Sequence, residues 1–153
     1  MTTTKGKPPM PLWHIYCPKD VYTADDREEF ATTISELYVK YVNLPSFYVS
    51  VAFHEMEPGS FFVGGKPNDR FVRIWIDHIA RRMPVEQFAP WMQIVNKAIS
   101  PWVRDRGLDW EIHGDETPLE FWSIQGLVPP PAGSDEEQRW FRDGFASAPL
   151  SEP

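Results

Sequence analysis

The sequence predicts an α/β fold: two fused βαβ units forming one mixed sheet with helices on one face. Three observations predict it. The order strand, helix, strand occurs twice, over about 11–56 and about 70–116. The apolar period changes with that order. It is two in Phe47, Val49, Val51, Phe53 and in Leu108, Trp110, Ile112. It is three or four in Phe30, Ile34, Leu37, Tyr41 and in Phe88, Trp91, Val95, Ile99, Trp102. Finally, 153 residues with 42% hydrophobic and 24% charged content suit one globular domain with a real core. The two units repeat an architecture rather than a string of letters.

Residues 1–9 lack an apolar pattern and are expected to be a flexible leader. Leu12–Cys17 is mostly apolar without clean alternation, as in a strand covered on both faces. Thr23 stands three residues before Asp26, a capping pair for a helix over roughly 24–41 that Asn43-Leu44-Pro45 ends. The strand through Phe53 follows. Gly59-Ser60 and Gly64-Gly65 bracket Phe61–Val63, a short hairpin arm, and Phe71–Ile79 is a β-rich strand. Pro84, Pro90 and Pro101 give the second helix a late start and a break, and Gly107 closes it before the strand Leu108–His113. Thr117-Pro118-Leu119-Glu120 reads as a capping box opening a short helix through Trp122. Val128-Pro129-Pro130-Pro131 reads as extended polyproline, and Ser134 with Glu137 caps a last helix carrying Trp140 and Phe141. The domain is expected over 10–145, with a disordered tail at 146–153.

Composition excludes several classes. A net charge of −7 and a pI near 5.0 argue against nucleic-acid binding, which needs clustered Lys and Arg. No apolar run is long enough to span a bilayer, and no charged-then-apolar leader marks secretion. The single Cys17 cannot form an intramolecular disulfide, which fits a reducing, cytoplasmic setting. No phosphate loop, dinucleotide fingerprint, Ser-His-Asp signature or zinc motif is present, so the expected chemistry is cofactor-free. Asp109, Glu111 and His113 share one strand face, which reads as a polar interface face rather than a metal site. Seven tryptophans suggest large aromatic contacts, including contacts between subunits.

The chemistry centres on Met10-Pro11-Leu12-Trp13. A chain that began at Pro11 would carry a secondary α-amine titrating near neutrality, a ready base. In the sequence, Met1 to Met10 precede it and make its nitrogen an amide. The competing reading is one proline among 16 at a strand start, where proline is tolerated.

With Met10-Pro11-Leu12-Trp13 go Leu44-Pro45-Ser46-Phe47-Tyr48-Val49, Val63-Gly64-Gly65, Phe71-Val72-Arg73-Ile74, Asp77-His78-Ile79-Ala80-Arg81, Asp109-Trp110-Glu111 and Asp115-Glu116-Thr117-Pro118. This set resembles the tautomerase superfamily, in its double-length members around cis-3-chloroacrylic acid dehalogenase and the fungal oxalocrotonate tautomerase type. The resemblance implies a tautomerase-like fold, a homotrimer, and a small carboxylate-bearing substrate in a pocket at the proline. The catalytic proline falls on Pro11. Of the two carboxylate-holding arginines, the second falls on Arg81 and the first on His78. The family's helix-one histidine falls on Tyr38, its tyrosine of the last strand falls on Ile112, and its water-activating glutamate has only Glu120, off register. These departures point away from water addition and dehalogenation and towards simpler proline chemistry.

The expected enzyme is therefore a tautomerase or isomerase. Pro11, once N-terminal, moves a proton on a small enol or keto acid, Arg81 holds the carboxylate, and His78 and Tyr38 are auxiliary donors. Arg82 reads as a solvated turn residue, and Arg73 as an inter-subunit ion pair rather than a pocket cation. His78 could instead cap the strand end, and Tyr38 could instead pack beside Tyr41. Were Pro11 not the base, the role would pass to His78, Tyr38 or a carboxylate such as Glu111. The alternative function is a non-catalytic trimeric binding or scaffold protein whose leader blocks Pro11.

Overall fold

A computed structural model describes residues 10–79 and 83–149. In chain order the elements are β1 (Met10–Pro18), α1 (Ala24–Val42), β2 (Ser50–Met56), β3 (Phe62–Val63), β4 (Lys66–Pro67), β5 (Phe71–Ile79), α2 (Phe88–Ile99), β6 (Asp109–Thr117) and α3 (Asp135–Asp143). Four strands form one sheet in the order β2-β1-β5-β6. β1 and β2 run parallel, as do β5 and β6, while β1 and β5 are antiparallel at the centre. The two parallel pairs repeat one register. Residues 38 apart face each other in both, Leu12 opposite Ser50 and Phe71 opposite Asp109. The expected repeat of βαβ units is thus present in the hydrogen bonding although the letters hide it.

Alternation decides which side chains meet the helices. In β1, Pro11, Trp13, Ile15 and Cys17 are buried and the residues between them are half-buried; in β5, Val72, Ile74, Ile76 and His78 are buried. β1 is therefore a two-sided strand with one helix-covered face, not the uniformly covered strand its apolar run suggests. Met-Pro-Leu-Trp-His-Ile-Tyr lacked visible alternation because leucine and tyrosine occupy the second face. α1 lays Phe30, Ile34, Leu37 and Tyr38 on the sheet, and α2 adds Trp91, Val95 and Ile99. Burying each such side chain contributes about 1.5–3 kcal/mol. Phe30 stacks on Trp102 at 4.8 Å, and the Tyr22 hydroxyl donates to the Trp102 carbonyl at 2.6 Å, so the first unit grips the second.

Among the described residues no helix covers the opposite face of the sheet. One ring from each strand forms a row across it. His54 stacks on His14 (5.2 Å), His14 on Trp75 (5.1 Å), and Trp75 on His113 (5.8 Å). His14 Nδ1 lies 2.9 Å from His54 Nε2. Asp109, Glu111 and His113 lie on this face opposite Phe71, Arg73 and Trp75. Arg73 pairs with Glu111 and donates to His113 Nδ1 at 3.0 Å. The ion pair expected between subunits is thus a cross-strand pair within the chain, because the 38-residue register brings its partner alongside.

Local signals fared unevenly. Thr23 and Asp26 do form a reciprocal capping box on α1. Gly64 and Gly65, both at positive φ, turn the β3–β4 hairpin as expected. Phe47 falls in a single 3-10 turn, Ser46–Tyr48, ahead of β2. The capping box expected at Thr117–Glu120 does not form. β6 runs on to Thr117, whose hydroxyl donates to Asp77 Oδ1 at 2.8 Å, and only a 3-10 turn, Leu119–Phe121, follows. The chain expected to be disordered from 146 begins docked: Ala146 is buried, and the Ser147 carbonyl accepts the Trp140 indole N–H at 2.9 Å. No helix among the described residues is long and apolar enough to cross a membrane.

Candidate active site

Pro11 is the second residue of β1, buried on the helix-covered side, and it faces His78 across the central antiparallel ladder. Neighbouring strands lie roughly 5 Å apart, so the proline nitrogen and the histidine share one corner. His78 in turn faces Glu116 on β6. Pro11, His78 and Glu116 therefore form a row over three strands at one end of the sheet.

A buried chain of hydrogen bonds meets that row. The Trp13 indole N–H donates to the Tyr38 hydroxyl at 3.0 Å, and that hydroxyl lies 2.8 Å from His78 Nε2. Trp13 and Tyr38 are 0% exposed and His78 is 9% exposed. Desolvation pushes the His78 pKa down to about 4 and raises that of Tyr38, so both are neutral near pH 7. With a neutral imidazole two proton placements exist. If Nε2 carried the proton, the hydroxyl would accept twice and its own proton would be buried without a partner. If Tyr38 donates to Nε2, the Trp13 indole, the Tyr38 hydroxyl and His78 Nε2 are all satisfied. The second placement puts the His78 proton on Nδ1.

Aromatic rings close the corner. Trp91 of α2 lies 5.2 Å from the Tyr38 ring and 6.5 Å from the His78 ring, and Trp13 meets Tyr38 edge-on at 6.5 Å. The Trp91 indole nitrogen is buried and has no hydrogen-bond partner among the described residues. Glu116 Oε2 accepts the Met83 backbone N–H at 2.9 Å and so anchors the chain where it enters α2.

Of the site residues the sequence singled out, Pro11, His78 and Tyr38 come together. Arg81, like Arg82, lies outside the described residues. Tyr38 does not choose Tyr41: its hydroxyl goes to His78, while Tyr41 is 51% exposed. Glu111 is remote, being on the helix-free face with Arg73. Sequence reasoning missed Glu116 and Trp91. Glu116 follows from strand length: once β6 is extended to Thr117, alternation sets Glu116 on the helix side beside His78. Trp91 was visible only as a core position in a helical stripe.

The chain is similar to known proteins over most of its length. A family described as "Putative oxalocrotonate tautomerase enzyme" matches residues 10–144. The chain belongs to this family, within the tautomerase superfamily. Its match begins at the Met10-Pro11 strand on which the site is built. The crystal structure of RhCC from Rhodococcus jostii RHA1 is 46% identical, with a TM-score of 0.86 over 90% of this chain and 99% of that one. N1, a member of the cis-3-chloroacrylic acid dehalogenase family, shares the tautomerase fold at 18% identity, with a TM-score of 0.70 over 86% of this chain and 90% of that one. A fused 4-OT solved as a symmetric trimer shares it at 18% identity, with a TM-score of 0.64 over 76% and 94%. No match was found among curated protein sequences.

Proposed function

We propose that this tautomerase-family chain is a cofactor-free isomerase of small oxo acids that works through Pro11 as an N-terminal amine. The observation that carries the reading is the facing pair of Pro11 and His78, with His78 tied through Tyr38 to Trp13 in a dry corner. The amine takes a proton from the carbon beside a carbonyl and returns it at another atom of the same enol system. A secondary amine among buried rings loses solvation when charged, which holds its pKa down and suits it as a base. Tyr38 donates to His78 and holds its tautomer, His78 acts as a neutral donor through Nδ1, and Arg81, from its place in the sequence, holds the substrate carboxylate. The subunits form a homotrimer in the cytoplasm. A trimeric fused 4-OT of the same fold and the helix-free sheet face with its row of rings support the assembly.

A second reading has its own observation. In the full chain Met10 is already part of β1, paired with Ile79, so the Pro11 nitrogen is an amide inside a ladder. In that form the protein is a binding or scaffold protein without proline chemistry. One experiment separates the two: the intact mass and oligomer mass of the native protein, beside the enol–keto activity of the full-length chain and of a chain starting at Pro11. The proposal expects an active Pro11-start trimer and a nearly inert full-length form. Equal activity of a native full-length form would remove Pro11 as the base.

A further inference from the structure

We infer that the Trp91 indole N–H is a substrate hydrogen-bond donor, directed to the carbonyl oxygen on which charge grows as the oxo acid is enolised. The assignment rests on the oxo-acid reading above and adds a residue to it.

The first support is chemical accounting at the indoles. Trp13, Trp75, Trp110 and Trp140 each place their N–H on an oxygen of the chain, at 3.0, 2.9, 2.8 and 2.9 Å. Trp91, at 8% exposure, is more buried than Trp75 and Trp110, yet its N–H has no partner among the described residues. A buried donor without an acceptor is unfavourable. Phenylalanine would fill the same aromatic position without that cost. The second support is place. Among the described residues two other buried side-chain polar atoms lack partners, Tyr48 Oη and Arg139 Nε, and both belong to the C-terminal packing, with Tyr48 edge-on to Trp122 and Arg139 held by Glu136 and Ser147. Trp91 alone among the three touches the site, over both Tyr38 and His78.

The donor would add to what the existing network offers. The Trp13 N–H is committed to Tyr38 and the Tyr38 proton to His78 Nε2, which leaves the network the His78 Nδ1–H to offer. During enolisation the C–H electron pair forms the C=C bond, the C=O π pair moves onto oxygen, and the proton goes to the Pro11 amine. The growing charge on oxygen has two lone pairs to satisfy beyond what one N–H can meet, so a second donor counts in a water-poor corner, where such a contact is strongest. The indole N–H, neutral and held by the Tyr38 and His78 rings, meets that need.

The test uses the native form of the protein, 15N-labelled at tryptophan, with 2-oxobutanoate as ligand. The Trp91 indole signal is assigned by its loss in Trp91→Phe, or in a chain carrying benzothienylalanine at position 91, which keeps the ring shape and lacks the N–H. The inference expects that signal to move on adding 2-oxobutanoate. It also expects Trp91→Phe or the benzothienyl chain to lose about a hundredfold in kcat with a smaller change in KM. A wild type that turns over the acid while its Trp91 signal stays fixed and both altered chains keep full kcat would overturn the inference alone. A shifted Trp91 signal without any turnover would retain the donor and overturn the isomerase reading. A wild type with neither shift nor turnover overturns both.

Discussion

His78 is the residue whose chemistry is most altered by the fold. Its imidazole is buried beside Pro11 with its Nε2 taken by Tyr38, and it accepts a proton only near pH 4 instead of near 6.5. Between those values the unfolded chain binds a proton that the folded chain refuses. Stability contributed this way is complete above pH 6.5, falls as pH drops through the window, and levels off below about pH 4. The full loss is about 3 kcal/mol. Denaturant titrations of the wild type and of His78→Gln, from neutrality to about pH 4, should show the wild type losing that much more than the variant. Parallel pH curves would mean that His78 is charged or solvated in the folded chain. Single residues were only partly legible. Pro11, His78 and Tyr38 stood out because their types can do chemistry and because the family resemblance marked their positions. Trp91 did not, since a tryptophan in a helical stripe looks the same whether or not its N–H has a partner.

Elements were legible where the signal is local and uncontested. Thr23 caps α1 because its hydroxyl and the Asp26 carboxylate can satisfy backbone N–H groups three residues away without any outside partner. The same pattern at Thr117 failed because a nearer competitor existed. Thr117 pairs with Ile79 in the ladder and bonds Asp77, and a strand that gains ladder bonds has no reason to end early. That misplaced strand end is what concealed Glu116. The start at 146 of the expected tail failed differently: small residues such as Ala146 and Ser147 carry no period, yet they fill the gap beside Trp140 and accept its N–H. Contacts made by unpatterned residues depend on where other elements lie, which one-dimensional period cannot report.

At the scale of the molecule, the two units are near-copies with unequal furnishing. β1 and β5 are both nine residues long. The second position of each is Pro11 in one and Val72 in the other; the eighth is Cys17 in one and His78 in the other. Only one end of the central ladder thus brings a proline opposite a histidine. At the other end the ladder stops with Tyr16 opposite Arg73, and the corresponding positions hold an aliphatic residue and a thiol whose pKa burial raises to about 11, an inert combination near neutrality. The repeat was readable from the order of elements. The antiparallel meeting of β1 and β5, which decides that Pro11 sees His78, was not, because pairing between distant strands leaves no mark on either one's own pattern.

The β3–β4 hairpin crosses from one unit to the other and stays outside the main sheet, with Phe62 and Val63 exposed and the Gly64-Gly65 turn at its tip. What holds the halves together lies elsewhere: the β1–β5 ladder, the Phe30–Trp102 stack and the Tyr22–Trp102 hydrogen bond. The chain is therefore divisible. Fragments 1–64 and 65–153, expressed apart and mixed, should complement one another into a folded complex with the near-ultraviolet dichroism of the intact protein, since cutting the tip severs a tether and no core contact. Fragments that stay unfolded after mixing would show that the tether supplies a local concentration the interface cannot do without. If they do assemble, proline and histidine arrive on separate polypeptides, and the site becomes a reporter of their reunion.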